Sequence, residues 1–134
     1  MTDCKLNLLV LAGEYVVAHL TSLAQLHPAP LSGQAMYSLT VTPDELSFIG
    51  PAGMMPPGLQ AESRGWRCLR IDGELAFDQV GVVATVSSAI AAQGISVFAI
   101  SSHDRDHFLV QAADLPQAIL QLRMAGCNVN EANV

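Results

Sequence analysis

Phe77-Asp78-Gln79-Val80-Gly81-Val82-Val83-Ala84-Thr85-Val86-Ser87-Ser88-Ala89-Ile90-Ala91-Ala92-Gln93-Gly94-Ile95-Ser96-Val97-Phe98 carries a strand-to-helix junction, a helix and the start of a second strand. The helix is expected over 79–93, because Val82, Val83, Val86, Ala89 and Ile90 recur at three- and four-residue steps and make one apolar face. Asp78 has the side chain of an N-cap, and Gly94 stands where a helix ends in a left-handed residue. The strand that follows, 95–101, is apolar on both alternations, with Ile95, Val97 and Ala99 on one side and Phe98 and Ile100 on the other. Such a strand is expected in the middle of a sheet. The junction also bears on function. A helix N-terminus presents unpaired backbone N–H groups and a partial positive charge, so it can hold a carboxylate without any catalytic side chain.

Outward from this stretch, 66–71 reads as a strand, Asp72-Gly73 as a turn, 102–105 as a polar turn and 107–111 as a hairpin partner. Asp114 is placed to cap a second helix with Pro116 in its first turn. Leu115, Ala118, Ile119 and Leu122 form its buried face, Gly126 ends it, and 127–129 supplies one more strand. The order β-α-β-β-α-β is the ferredoxin-like arrangement, an α+β fold with both helices on one face of an antiparallel sheet. Before it, 5–11 and 14–20 read as a tight hairpin across Ala12-Gly13. A helical turn is expected over 23–26, a loop at 27–30, strands at 36–41 and 46–49, and a turn at 42–45 around Pro43. Residues 50–65 hold three prolines and four glycines and read as a linker. The chain is thus expected to divide into two small units packed together, 1–60 and 61–134.

Half of the 134 residues are apolar and 13% are charged, an ordinary globular composition. The net charge is −6, and Arg64, Arg67 and Arg70 are too sparse for a basic stripe, which argues against a nucleic-acid partner. Few charges among many apolar residues suggest that another subunit covers part of the surface. Cys4, Cys68 and Cys127 are odd in number and contain no Cys-x-x-Cys pair, so three buried thiols in a reducing, cytoplasmic setting are expected. The run Leu6-Asn7-Leu8-Leu9-Val10-Leu11 is short, holds Asn7 and is soon followed by Glu14, so it reads as a strand rather than a leader. No stretch has the length of a membrane span, and no membrane partner is expected.

Gly81 reads two ways: close approach of a ligand to the backbone, or close packing of the helix start on a neighbouring strand. Asp78 likewise reads as a cap or as a carboxylate that meets an ammonium, and its two oxygens allow both. Seven polar residues, 101–107, gather at a strand-to-strand turn. His103 and His107 are four apart, but in a turn and a strand that spacing carries little metal-binding weight. There is no Gly-x-Ser-x-Gly elbow, no Walker-type glycine loop, and no cysteine or serine with a base partner by motif. No enzyme activity, cofactor or metal is expected.

The segment from Phe77 to Phe98 resembles an ACT domain, the small ligand-sensing module of amino-acid metabolism. The family opens its first helix with Asp-x-Pro-Gly, and here Val80 stands in place of the proline. Ile100-Ser101-Ser102-His103-Asp104-Arg105-Asp106-His107-Phe108-Leu109-Val110 is similar to a branch of tandem ACT proteins related to cytosolic arginine sensors. Tyr37-Ser38-Leu39-Thr40-Val41-Thr42-Pro43-Asp44-Glu45-Leu46-Ser47-Phe48 resembles a segment of the same branch. The resemblance implies a non-catalytic regulatory sensor, a cytoplasmic homodimer that holds a free amino acid between two ACT units. The helix-opening loop maps to Phe77, Asp78, Val80, Gly81 and Val82, whose amides would face the ligand carboxylate. The facing strand maps to Val97, Phe98 and Ala99, the hairpin aspartate to Asp106, and the serine after the Thr-Pro-Asp-Glu-Leu segment to Ser47. The departure at Val80 keeps a second reading open, a structural or interaction module that no longer binds a ligand. A third reading, a small enzyme, would rest on His103, Asp106 and His107 as its acid–base group.

Overall fold

A computed structural model describes residues 6–26, 31–72 and 81–131. In chain order its strands are β1 (Asn7–Val10), β2 (Tyr15–His19), β3 (Ser38–Val41), β4 (Leu46–Pro51), β5 (Ala61–Asp72), β6 (Phe98–Ser101), β7 (Asp106–Gln111) and β8 (Asn128–Glu131). The helices are α1 (Val82–Ala91) and α2 (Leu115–Met124). Two units are distinguished, one made of Met1–Ala12 with Arg67–Val134, the other of Gly13–Trp66.

In the unit formed by Met1–Ala12 and Arg67–Val134, alternation along each strand sends one set of side chains toward the helices. Leu8 and Val10 of β1, Leu69 and Ile71 of β5, Phe108 and Val110 of β7 and Val129 of β8 form one core with Val82, Val86 and Ile90 of α1 and Leu115, Ala118 and Leu122 of α2. The β-α-β-β-α-β order stands, with one addition. β1 enters between β5 and β8, antiparallel to the first and parallel to the second, with Asn7 opposite both Asp72 and Asn128. β7 pairs with β5 and β6, and β6 pairs with β7. Gly94, at φ 73°, closes the end of α1, and its N–H donates to the Ala91 carbonyl at 2.9 Å.

The Gly13–Trp66 unit is an antiparallel sheet in the order β3, β4, β2, β5. Tyr15, Val16, Ala18, Leu20, Phe48 and Trp66 are buried in it. The 42–45 turn forms as expected, with Thr42 N–H donating to the Glu45 carbonyl at 3.0 Å and the Thr42 hydroxyl accepting from the amides of Asp44 and Glu45. Ser22 and Gln25 close a reciprocal capping box on the 3-10 turn Leu23–Gln25.

Several expectations are corrected. The runs at 5–11 and 14–20 are not a hairpin: β1 pairs with residues 69–72 and β2 with residues 61–66, and neither pairs with the other. Residues 50–65 are not a linker. β4 runs to Pro51, the 3-10 turn Ala52–Met54 follows, and β5 starts at Ala61. Gly50 sits inside β4 because a Cβ there would lie 3.0 Å from Tyr37 Cβ and 3.2 Å from the Phe48 ring. The units also differ from the expected segments 1–60 and 61–134, because β1 is hydrogen-bonded into the C-terminal strands and 61–66 pair with β2. β6 is not mid-sheet: Phe98, Ala99 and Ser101 are exposed, and the apolar residues that precede them, Ile95 and Val97, account for the burial. Asp114 stands at the N-cap of α2, but its side chain makes no capping bond. Cys68 is a free thiol that burial pushes up to about 12, whereas Cys127 is disulfide-bonded, so the expected set of three thiols does not hold. The loop at 27–30 and the Asp72-Gly73 turn fall wholly or partly outside the described residues. No helix of the described residues is long and apolar enough to cross a membrane.

Candidate functional site

α1 begins at Val82, later than the expected residue 79, and its N-cap is Gly81 rather than Asp78. Asp78 lies outside the described residues, as do Phe77 and Val80. Gly81 has φ 82° and ψ 11°, the left-handed region that L side chains rarely adopt. A Cβ built on it would meet no atom within 4 Å. Close packing is therefore not the reason for this glycine; its backbone conformation is. No side chain at the N-cap accepts from the first turn, and the carbonyl of Gly81 takes the Thr85 N–H at 2.8 Å. Among the described residues no side chain caps the N–H groups that open α1.

Val82 is buried and Val97 packs on the same core cluster, so only their main chains are available to a ligand. β6 and β7 form a hairpin in which Ser101 faces Asp106, Ala99 faces Phe108 and Phe98 faces Leu109. Phe108 points into the helix-side core, so Ala99 and Asp106 share that sheet face with α1, while Phe98 points to the other face. Among the described residues the Asp106 carboxylate makes no hydrogen bond or ion pair, and its side chain is half-buried. Ser47 belongs to the Gly13–Trp66 unit, on β4 between Thr40 and His19. Its hydroxyl donates to Glu45 Oε2 at 3.0 Å, and it borders a shallow depression of about 300 Å³ with His19, Glu45 and Glu62.

The 102–105 turn is held by Ser102, whose N–H and hydroxyl both donate to the Arg105 carbonyl, at 3.1 and 2.8 Å. His103 and Asp104 meet at 2.7 Å in an exposed pair, and this hydrogen bond holds the Asp104 carboxyl below the usual range. His107 is buried, and its pKa falls to about 4. Burial is the first cause, and the positive charges of Arg70 and Arg105 add to it against the opposing pull of Asp106. His103, Asp106 and His107 do not assemble as an acid–base group: neighbouring strand residues face opposite ways, and His103 stands out in the turn. The reading of the sequence passed over the pair Arg70 and Arg105. The available signal was parity, since Arg70 alternates with Leu69 and Ile71 and must face away from the helices.

An ACT-domain family model matches residues 62–123. The cytosolic arginine sensor for mTORC1 subunit 1 of Homo sapiens is 41% identical over 64 residues, which span 46% of this chain and 20% of that protein. The matched stretch thus covers about a fifth of the length of that curated relative. The crystal structure of protein Atu0741 from Agobacterium tumefaciens is 33% identical, with a TM-score of 0.82 over 98% of this chain and 96% of that one. The regulatory subunit of aspartate kinase from Thermus thermophilus, 13% identical, shares the fold, with a TM-score of 0.55 over 84% of this chain and 93% of its own. Over residues 62–123, where the strands and helices run in the ferredoxin-like order, this chain is similar to the ACT-domain family.

Proposed function

We propose that this chain is a non-catalytic regulatory protein that binds a free amino acid and works as a homodimer in the cytoplasm. The observation that carries the reading is the start of α1 at the left-handed Gly81, which no side chain caps among the described residues, on a helix packed on the sheet face that Asp106 shares. Backbone N–H groups there suit a ligand carboxylate, and the unpartnered Asp106 carboxylate suits an ammonium. The main chain of Val82, Val97, Phe98 and Ala99 would complete the polar lining, with Phe77, Asp78 and Val80 of the helix-opening loop as further contacts. The name of one relative supports the class, since it is a cytosolic arginine sensor. A homodimer is supported by β6, which among the described residues pairs with β7 alone and exposes 42% of Phe98. A monomer mass by light scattering at working concentration would remove that part.

Thermal-shift screening against the twenty amino acids tests the ligand. At about a hundred times its dissociation constant, the right one stabilises the folded state by roughly 2.7 kcal/mol and raises the melting temperature by several degrees. Asp106→Asn is expected to abolish that rise while leaving the unliganded melting temperature nearly unchanged. If no amino acid raises it, the sensor reading fails and the interaction-module reading replaces it.

A further inference from the structure

Arg70 and Arg105 converge on the sheet face turned away from the helices. Arg70 arrives there by alternation between Leu69 and Ile71, and Arg105 reaches it from the end of the 102–105 turn. Both close on one oxygen, Asp72 Oδ1, at 3.6 Å from Arg70 Nη2 and 4.0 Å from Arg105 Nη1. Those separations exceed hydrogen-bond range. Among the described residues neither guanidinium donates to any protein acceptor, and Arg70 Nε is buried without a partner. Yet the two side chains are only 20% and 25% exposed. Arginines withdrawn from water to that degree normally have their N–H forks filled. Here two forks share one carboxylate, which leaves a local positive excess in a chain of net charge −6. Asp72 is itself half-exposed, so the cluster is open to solutes.

We propose that Arg70 and Arg105 form a site for an oxyanion, a carboxylate or phosphate group whose oxygens fill the vacant guanidinium donors. Bidentate acceptance by planar or tetrahedral oxyanions is the geometry this fork recognises best. Asp72 then holds the two arginines together when the anion is away and competes with it when it arrives. The site lies on the opposite sheet face from Asp106 and stands independently of the amino-acid reading.

The experiment follows the arginine Nε–H resonances of the labelled full chain by NMR during titration with inorganic phosphate, with succinate, and with sodium chloride at matched ionic strength. Saturable shifts of Arg70 and Arg105 with phosphate or succinate, absent with chloride, are the expected result, and the better of the two identifies the class. Arg105→Gln should weaken that binding about tenfold. Asp72→Asn, at an exposed position, should tighten it several-fold by removing the competitor. Shifts that chloride reproduces, or an Asp72→Asn protein that binds no more tightly than wild type, overturn the proposal, and the second criterion stands even if Arg105→Gln fails to fold. A flat amino-acid screen beside saturable phosphate binding would sink the sensor reading and leave this site intact.

Discussion

Phe108→Ala is expected to lower the free energy of unfolding by about 3–5 kcal/mol. Phe108 is fully buried on β7, which is flanked by β5 and β6, and it belongs to the cluster that joins both helices to the sheet. Truncation removes the ring's transfer free energy and leaves a cavity that a sheet backbone, fixed by its ladder, closes only in part. A domain of this size is typically stable by about 5–15 kcal/mol, so the change takes about a fifth of the total at the least. Urea unfolding should show a lower midpoint at an unchanged slope. Met124→Ala is the control: Met124 lies on α2 at 70% exposure and should shift stability by no more than about 0.5 kcal/mol. Equal shifts for the two variants would mean that the core is not where the structure puts it.

His107 should make the protein acid-sensitive in a definite window. In the unfolded chain it takes up a proton near its ordinary value of 6.5, whereas in the folded protein burial, with Arg70 and Arg105, holds it neutral down to about 4. Between those values the unfolded state binds a proton that the folded state refuses, so lowering the pH favours unfolding. Stability contributed by neutral His107 is complete above about 6.5, declines as the pH drops toward 4, and is then exhausted; the full loss is about 3 kcal/mol. His107→Leu fills the same buried position with nothing to titrate. Wild-type stability, measured by urea unfolding at pH 7.5 and 4.5, should fall by about 2–3 kcal/mol more than that of the variant. Parallel losses in the two proteins would show that His107 is hydrated in the folded state.

The helices and the β-α-β-β-α-β order were legible because their signals are local. The three- and four-residue spacing of Val82, Val86 and Ile90 and of Leu115, Ala118 and Leu122 reports burial on one stripe, and the structure buries those residues. Strand partners were not legible. The runs at 5–11 and 14–20 fit a hairpin by spacing, but which edge a strand joins depends on residues far along the chain. The apolar pattern at 95–101 misled for a related reason: Ile95 and Val97 are buried before the strand begins, and the ladder that follows is a sheet edge. At the candidate site the glycine was seen but its reason was not, since a positive φ leaves no mark that distinguishes it from close packing. The convergence of Arg70 and Arg105, 35 residues apart in number, is a product of the ladder and has no local signature.

The position of β1 has a consequence for how this molecule is made. The strand is wedged between two neighbours that appear much later on the ribosome, and the Asn7 and Asn128 side chains that hydrogen-bond at 3.0 Å are 121 residues apart. Leu8, Leu9 and Val10 must therefore wait, sticky and unzipped, until almost everything else described here has been synthesised. An excised fragment covering only 62–123 would carry the recognisable motif and lack two strands of its own unit, β1 and β8, so the smallest piece able to fold is considerably longer than the piece that is easiest to recognise.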